Sequence, residues 1–131
     1  MSASAHGLDE TLVARGDFSY ESGVAAMETL LALPSRPTAV LASNDRMAHA
    51  ALRTARRNGL AVPADLSVIS FDNTPLARFA DMTAVIQPIA EMSAVAAELL
   101  IRSTAGDAEL PRQSMVDFGF APRGSTAPPT T

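Results

Sequence analysis

Apolar and polar positions along this chain fall into short blocks of two kinds. From Tyr20 to Leu33 the apolar residues Val24, Met27, Leu30 and Leu31 recur at helical spacing. Pro34 and Pro37 close that segment, and Pro37 biases Arg36 toward an extended backbone. Ala39 to Ala42 is a continuous apolar run, the pattern of a strand buried on both faces. Asn44 is then placed as a helix N-cap, with Asp45 in the first turn where the helix dipole favours an anion. Met47, Ala51, Leu52 and Ala55 make one apolar helical face, and Gly59 is the natural stop. Leu66 to Phe71 and Thr83 to Ile86 read as further strands, separated by an irregular stretch from Asp72 to Asp81. Pro88 suits a first helical position, and Ile89, Met92, Val95, Ala96, Leu99 and Leu100 outline a helix ending before Gly106. The ends are weaker: Glu10 to Arg15 is a short strand candidate and Ser114 to Phe120 an edge-strand candidate.

This alternation of β and α blocks with short connections predicts an α/β fold, a three-layer sandwich of a parallel sheet with helices on both faces. In such sheets ligands bind at the carboxyl ends of the strands. Two strands here end abruptly in small polar and acidic residues, Ser43-Asn44-Asp45 and Asp72-Asn73. Those residues sit where a binding site would be.

Composition narrows the function. The chain has 131 residues, one domain's worth, with 47% hydrophobic and 18% charged residues. The net charge of −4 gives no general attraction to nucleic acid or to an anionic membrane. Cysteine is absent, which excludes disulfides and thiolate metal sites. The N-terminus has neither a basic region nor an apolar run, so it does not read as a signal peptide, and no stretch approaches the roughly 20 apolar residues that span a bilayer. A cytoplasmic location is expected.

Among candidate site residues, the Asp72 carboxylate could accept hydrogen bonds from adjacent hydroxyls of a sugar or polyol, or simply cap a turn. Asn44 offers an acceptor and two donors, and equally reads as a plain cap. Phe18, in a polar loop, could stack on the apolar face of a pyranose or purine, or anchor the Gly16 turn. Gln87 follows a strand and could present its amide to the same region, or lie exposed in a loop. Catalysis finds little support: there are two histidines, His6 near the terminus and His49 mid-helix, and no nucleophile elbow or phosphate-binding glycine loop. The acids Asp17, Asp45, Asp72 and Asp81 have no spacing that demands a metal, and Arg53, Arg56 and Arg57 read as a solvated helix end. No catalytic residue, metal ligand or cofactor is assigned.

The segments PTAVLASNDRMA from Pro37, NGLAVPADLSVISFDNTPLA from Asn58, VIQPIAEM from Val85 and RGST from Arg123 resemble the lactose-repressor (LacI/GalR) family of bacterial transcriptional regulators. The resemblance runs from about Leu8 to Thr126. It implies a periplasmic-binding-protein-like type I half, incomplete, at 9–126, between a disordered N-terminal extension at 1–8 and a flexible tail at 127–131. It implies effector contacts at Phe18, Asn44, Asp72 and Gln87, with a small sugar-like effector. The helix after Asn44 and the segment around Leu76 to Ala80 resemble the parts that pair two subunits, placing Met47, His49, Leu76 and Phe79 at a homodimer interface. The family's chains are more than twice as long and carry a DNA-binding helix-turn-helix, so this chain is expected to make no direct nucleic-acid contact. The first strand and helix of the C-terminal subdomain are also expected to be missing, which would leave a strand edge open. The function implied is ligand sensing and dimerisation in such a regulator. The alternatives are a fragment of a periplasmic sugar-binding protein, a small metal-dependent α/β enzyme using Asp45 and Asp72, or a truncated remnant.

Overall fold

The computed structural model describes residues 7, 10–107, 109–111 and 113–129. Its centre is a four-stranded sheet in the order β1-β2-β3-β4, formed by β1 (Ala39–Leu41), β2 (Ser67–Asp72), β3 (Thr83–Ile86) and β4 (Gly119–Ala121). β1, β2 and β3 are parallel, in register Val40↔Val68 and Ile69↔Thr83; β4 runs antiparallel to β3, with Val85 opposite Phe120. The α/β expectation stands, with a mixed rather than purely parallel sheet.

The helices are α1 (Tyr20–Leu31), α2 (Asp45–Arg57), α3 (Pro75–Phe79) and α4 (Ile89–Thr104). α1 starts where the Ser19 hydroxyl accepts the Ser22 N–H at 3.0 Å, and the downstream prolines allow no continuation. α2 starts where Asn44 Oδ1 accepts the Met47 N–H at 2.8 Å, and ends against Gly59 at φ +80°. Because successive parallel strands are added in one direction, right-handed crossovers bring α2 and α3 to the same face of the sheet. α2 packs against α1, β2 and α3. The core between them holds Met27, Leu52, Leu66, Val68 and Met82, with Ala48, Ala51, Ala55, Ala77 and Ala84. The alanines keep α2 thin enough to lie close to both the sheet and α1.

Several expectations are revised. Glu10 to Arg15 forms no strand: Glu10–Leu12 is a 3-10 turn and the rest is irregular. A strand exists only where a neighbour completes its ladder, and among the described residues β1 pairs with β2 alone. β1 is therefore an edge, not a strand buried on both faces; Leu41 is 65% exposed. An apolar groove of about 470 Å³ lies along this edge, lined by Leu12, Val13, Leu30, Leu41 and Ile69 among others. The stretch after Asp72 contains α3, which begins with Pro75 as its first residue. The last strand is shorter and later than Ser114 to Phe120. α4 forms where expected, after Pro88, but none of its residues is buried. Among the described residues it makes no helical layer on the opposite face of the sheet. The tail is attached at Ala127, whose N–H donates to Ser67 Oγ at 3.2 Å. The proposed extension at 1–8 lies, apart from Gly7, outside the described residues, as do Thr130 and Thr131.

Candidate functional site

The carboxyl ends of β1, β2 and β3 open into one cleft of about 570 Å³, lined by Phe18, Leu41, Ala42, Ser43, Asn44, Phe71, Asp72 and Gln87. All four residues singled out for ligand contact therefore share one cavity, although they lie up to 69 positions apart in the chain. Ser43, already placed at the strand end, also lines the cleft, and Phe71 is a lining residue that sequence reading passed over. Its position, next to Asp72, was the available signal.

Asp72 ends β2 and is tied to the end of β3, where Gln87 Nε2 donates to its Oδ1. Burial raises its pKa above the ordinary carboxylate value, and the nearby Asp45 charge adds to that rise, while the Gln87 hydrogen bond opposes both. Asp72 has φ +118° and the following Asn73 φ +63°. Two successive non-glycine residues in this region cost on the order of 1–3 kcal/mol each, so the surroundings must hold them there. Three contacts do so: Gln87 on Asp72, the Arg123 guanidinium on Asn73 Oδ1 at 2.6 Å, and the Asp45 carboxylate on the Thr74 N–H at 2.6 Å. Asp45 is 2% exposed, and among the described residues its Oδ1 has no hydrogen-bond partner. It is a first-turn helix charge as expected, but it also reaches across to the next strand–helix connection.

Asn44 combines its two readings. Its Oδ1 caps α2 while its Nδ2 donates to the Phe18 carbonyl at 2.9 Å. That bond fixes the loop that presents Phe18, which is 60% exposed and sits at φ +69°. The same loop is tied from its other side: the Ser19 N–H donates to Asp17 Oδ1, and the Asp17 N–H to Ser22 Oγ, both at 3.0 Å. Hydrogen bonds from Ser19 and Ser22 pull the Asp17 pKa from 3.8 to about 2. The sign follows: a carboxylate lowered in the folded state contributes stability above 3.8 that is lost as pH falls through about 2. Lowering the pH from 5 to about 2 is expected to loosen the Phe18 loop. An NMR titration of the Ser19 amide should follow the same low midpoint, and a midpoint at the ordinary carboxylate value would show that the Asp17 turn is not formed.

The four residues expected at a subunit interface are spread differently. Phe79, at the end of α3, is 91% exposed. Leu76 is half-buried against the core. His49 is half-buried, its ring centroid 5.9 Å from that of Tyr20, and burial with Arg53 and Arg56 nearby lowers its pKa. Met47 is half-buried and directed toward Gly16, where an added Cβ would lie 2.9 Å from its Sδ. Among the described residues, no three His, Asp or Glu side chains converge as a metal site would need, and no helix is long and apolar enough to cross a membrane.

Residues 1–126 match the family model of the periplasmic binding protein-like domain. The chain is 43% identical over 121 residues to the HTH-type transcriptional repressor CytR of Escherichia coli (strain K12), covering 91% of this chain and 36% of that protein. It is 44% identical over 119 residues to the HTH-type transcriptional regulator CelR of Thermobifida fusca, covering 89% of this chain and 35% of that one. Among solved structures, a transcriptional regulator CelR–cellobiose complex superposes with a TM-score of 0.81 at 39% identity, over 94% of this chain and 39% of the other. The transcription regulator CcpA of Lactococcus lactis superposes with a TM-score of 0.80 at 31% identity, over 95% of this chain and 47% of that one. The chain thus spans little more than a third of the length of these curated relatives, which are transcriptional regulators. It belongs to the periplasmic-binding-protein-like domain family, among the LacI-type regulators.

Proposed function

We propose that this chain is the ligand-sensing part of a LacI-type transcriptional regulator and that its cleft takes a sugar or related polyol. One observation carries the reading: Phe18, Asn44, Asp72 and Gln87 converge at the carboxyl ends of three parallel strands. The chemistry fits. Asp72 Oδ2 takes no part in the Gln87 bond and can accept from a hydroxyl pair, the Gln87 carbonyl can accept another, and the exposed face of Phe18 suits the apolar face of a sugar ring. The complex of the relative CelR with cellobiose supports the ligand class. Operator binding belongs to a helix-turn-helix domain distinct from these residues, which carry a net charge of −4. No enzymatic step, cofactor or metal enters this function, and the protein acts in the cytoplasm. Two copies pair through the α2–α3 side, with Phe79 as the exposed anchor and Leu76 and His49 beside it.

Titrating cellobiose, then a panel of mono- and disaccharides and nucleosides, into the isotopically labelled chain tests this. The expected result is saturable movement of the Asn44, Asp72 and Gln87 signals. Asp72→Asn should weaken the response about tenfold or more, because a hydrogen bond to a charged group is worth about 1.5–3 kcal/mol. Signals that ignore every sugar and nucleoside but move with Mg²⁺ would overturn the sensor reading in favour of a metal-dependent enzyme.

A further inference from the structure

The Asp72 turn is held from outside the cleft by a residue far along the chain. Arg123 lies 50 positions beyond Asn73, in the segment that follows β4. Its backbone is fixed at the start of β3, where its N–H donates to Thr83 Oγ1 at 2.9 Å and its carbonyl accepts from the same hydroxyl at 3.0 Å. From there its guanidinium makes two short bonds, Nη1 to the Met82 carbonyl and Nη2 to Asn73 Oδ1, both at 2.6 Å. One planar group thus bridges the two ends of the β2–α3–β3 crossover. On the far side of Asn73, the Thr74 N–H is held by the buried Asp45. Immediately before these anchors stands Asp72, the last residue of β2, in its left-handed conformation.

We propose that Arg123 is a positioning residue for the ligand site: by clamping Asn73 to the start of β3, it keeps the Asp72 carboxylate turned into the cleft beside Gln87. The assignment rests on the reading of Asp72 as a ligand contact. Arg123 itself is not among the residues that line the cleft. Lysine cannot replace it, since a single ammonium lacks the planar fork that reaches both acceptors. The arrangement also joins the C-terminal segment to the site, so that displacement of residues 122–127 would be felt at Asp72.

The test uses the 131-residue chain with Arg123→Lys, Asn73→Ala and the double variant. Carbon-13 NMR follows the Asp72 carboxyl through a pH titration. Burial is the largest cause of its raised value and Asp45 adds to it, so a released carboxyl should titrate lower, closer to the ordinary range. Both single variants are expected to show that movement, and the double variant no more than either. A merely structural role for Arg123 would lower the thermal midpoint without moving the Asp72 titration. A folded Arg123→Lys chain whose Asp72 resonance and titration match the wild type overturns the proposal. Should Arg123→Lys fail to fold, Asn73→Ala decides by the same criterion. Cellobiose provides the separate arm. Tight binding by the wild type that both variants retain overturns the clamp, whereas loss of about tenfold or more supports it. If no sugar or nucleoside binds the wild type but the Asp72 titration still moves, the clamp stands and the ligand reading fails.

Discussion

Replacing Ser125 by alanine is expected to destabilise the protein by about 2–6 kcal/mol, a large share of a small domain's stability. Ser125 is 2% exposed and belongs to no strand, yet it completes the sheet. Pairing between β2 and β3 begins at Ile69↔Thr83. Ahead of that point the Ser125 hydroxyl donates to the Val68 carbonyl at 2.5 Å and accepts the Thr83 N–H at 2.8 Å, while its own carbonyl accepts the Val68 N–H at 2.8 Å. Alanine retains the carbonyl but strands two buried backbone groups, each costing about 1–3 kcal/mol. Ser67→Ala is the control: its hydroxyl binds Ala127 in an exposed position, and its loss should stay within about 0.5 kcal/mol. Urea denaturation of the two variants reads the difference directly. Equal midpoints would mean that something else satisfies Val68 and Thr83.

Gly23→Ala should lower the thermal midpoint, against what helix propensity alone predicts. In an exposed helix interior, alanine is better than glycine by about 1 kcal/mol. Gly23 lies inside α1, buried against α2. A Cβ there would meet Met47 Cα at 2.7 Å, Ala50 Cβ at 2.8 Å and the Met47 carbonyl at 3.0 Å. Two of these are backbone atoms of a packed helix, so α1 and α2 must separate. Overpacking of this kind costs about 1–3 kcal/mol, which cancels or exceeds the propensity gain. The change should also reach the cleft. Ser22, next to Gly23, holds the Asp17 N–H, and Asn44, at the start of α2, holds the Phe18 carbonyl. Separating the helices pulls these anchors apart, so the Phe18 amide signal should shift along with the fall in midpoint. A variant more stable than wild type would show that the contact between α1 and α2 is looser than the distances imply.

What could be read in advance depended on whether the cause was local. The α2 start was legible because Asn44 and Asp45 carry their own capping and dipole chemistry, and α1 and α4 were legible from their apolar spacing. The Asp72 position was marked by an apolar run ending in an acid. α3 was not foreseen, since five residues are too few to display a period, although Pro75 and Thr74 were usable start signals. The failures at Glu10 to Arg15 and at β1 share one reason. The composition of a strand describes its fitness for a sheet, but pairing and burial are supplied by neighbours. With a free edge beside it, an apolar run such as Ala39–Leu41 stays partly exposed. α4 shows the same for helices: its apolar positions form a helix, but a helix buries its face only against something, and here none of its residues is buried.

By itself, then, the sequence determined the order and type of most elements, the capping of the helices, and the four side chains of the cleft, because each follows from residues within a few positions of one another or from a motif. Only the tertiary structure decided that those four side chains face one cavity, that Asp72 and Asn73 are held in a left-handed turn, and that Arg123, Asp45 and Ser125 hold the strand ends around it. Those outcomes depend on contacts between residues 29 to 57 positions apart. Such contacts arise from packing, and no local period or propensity encodes them.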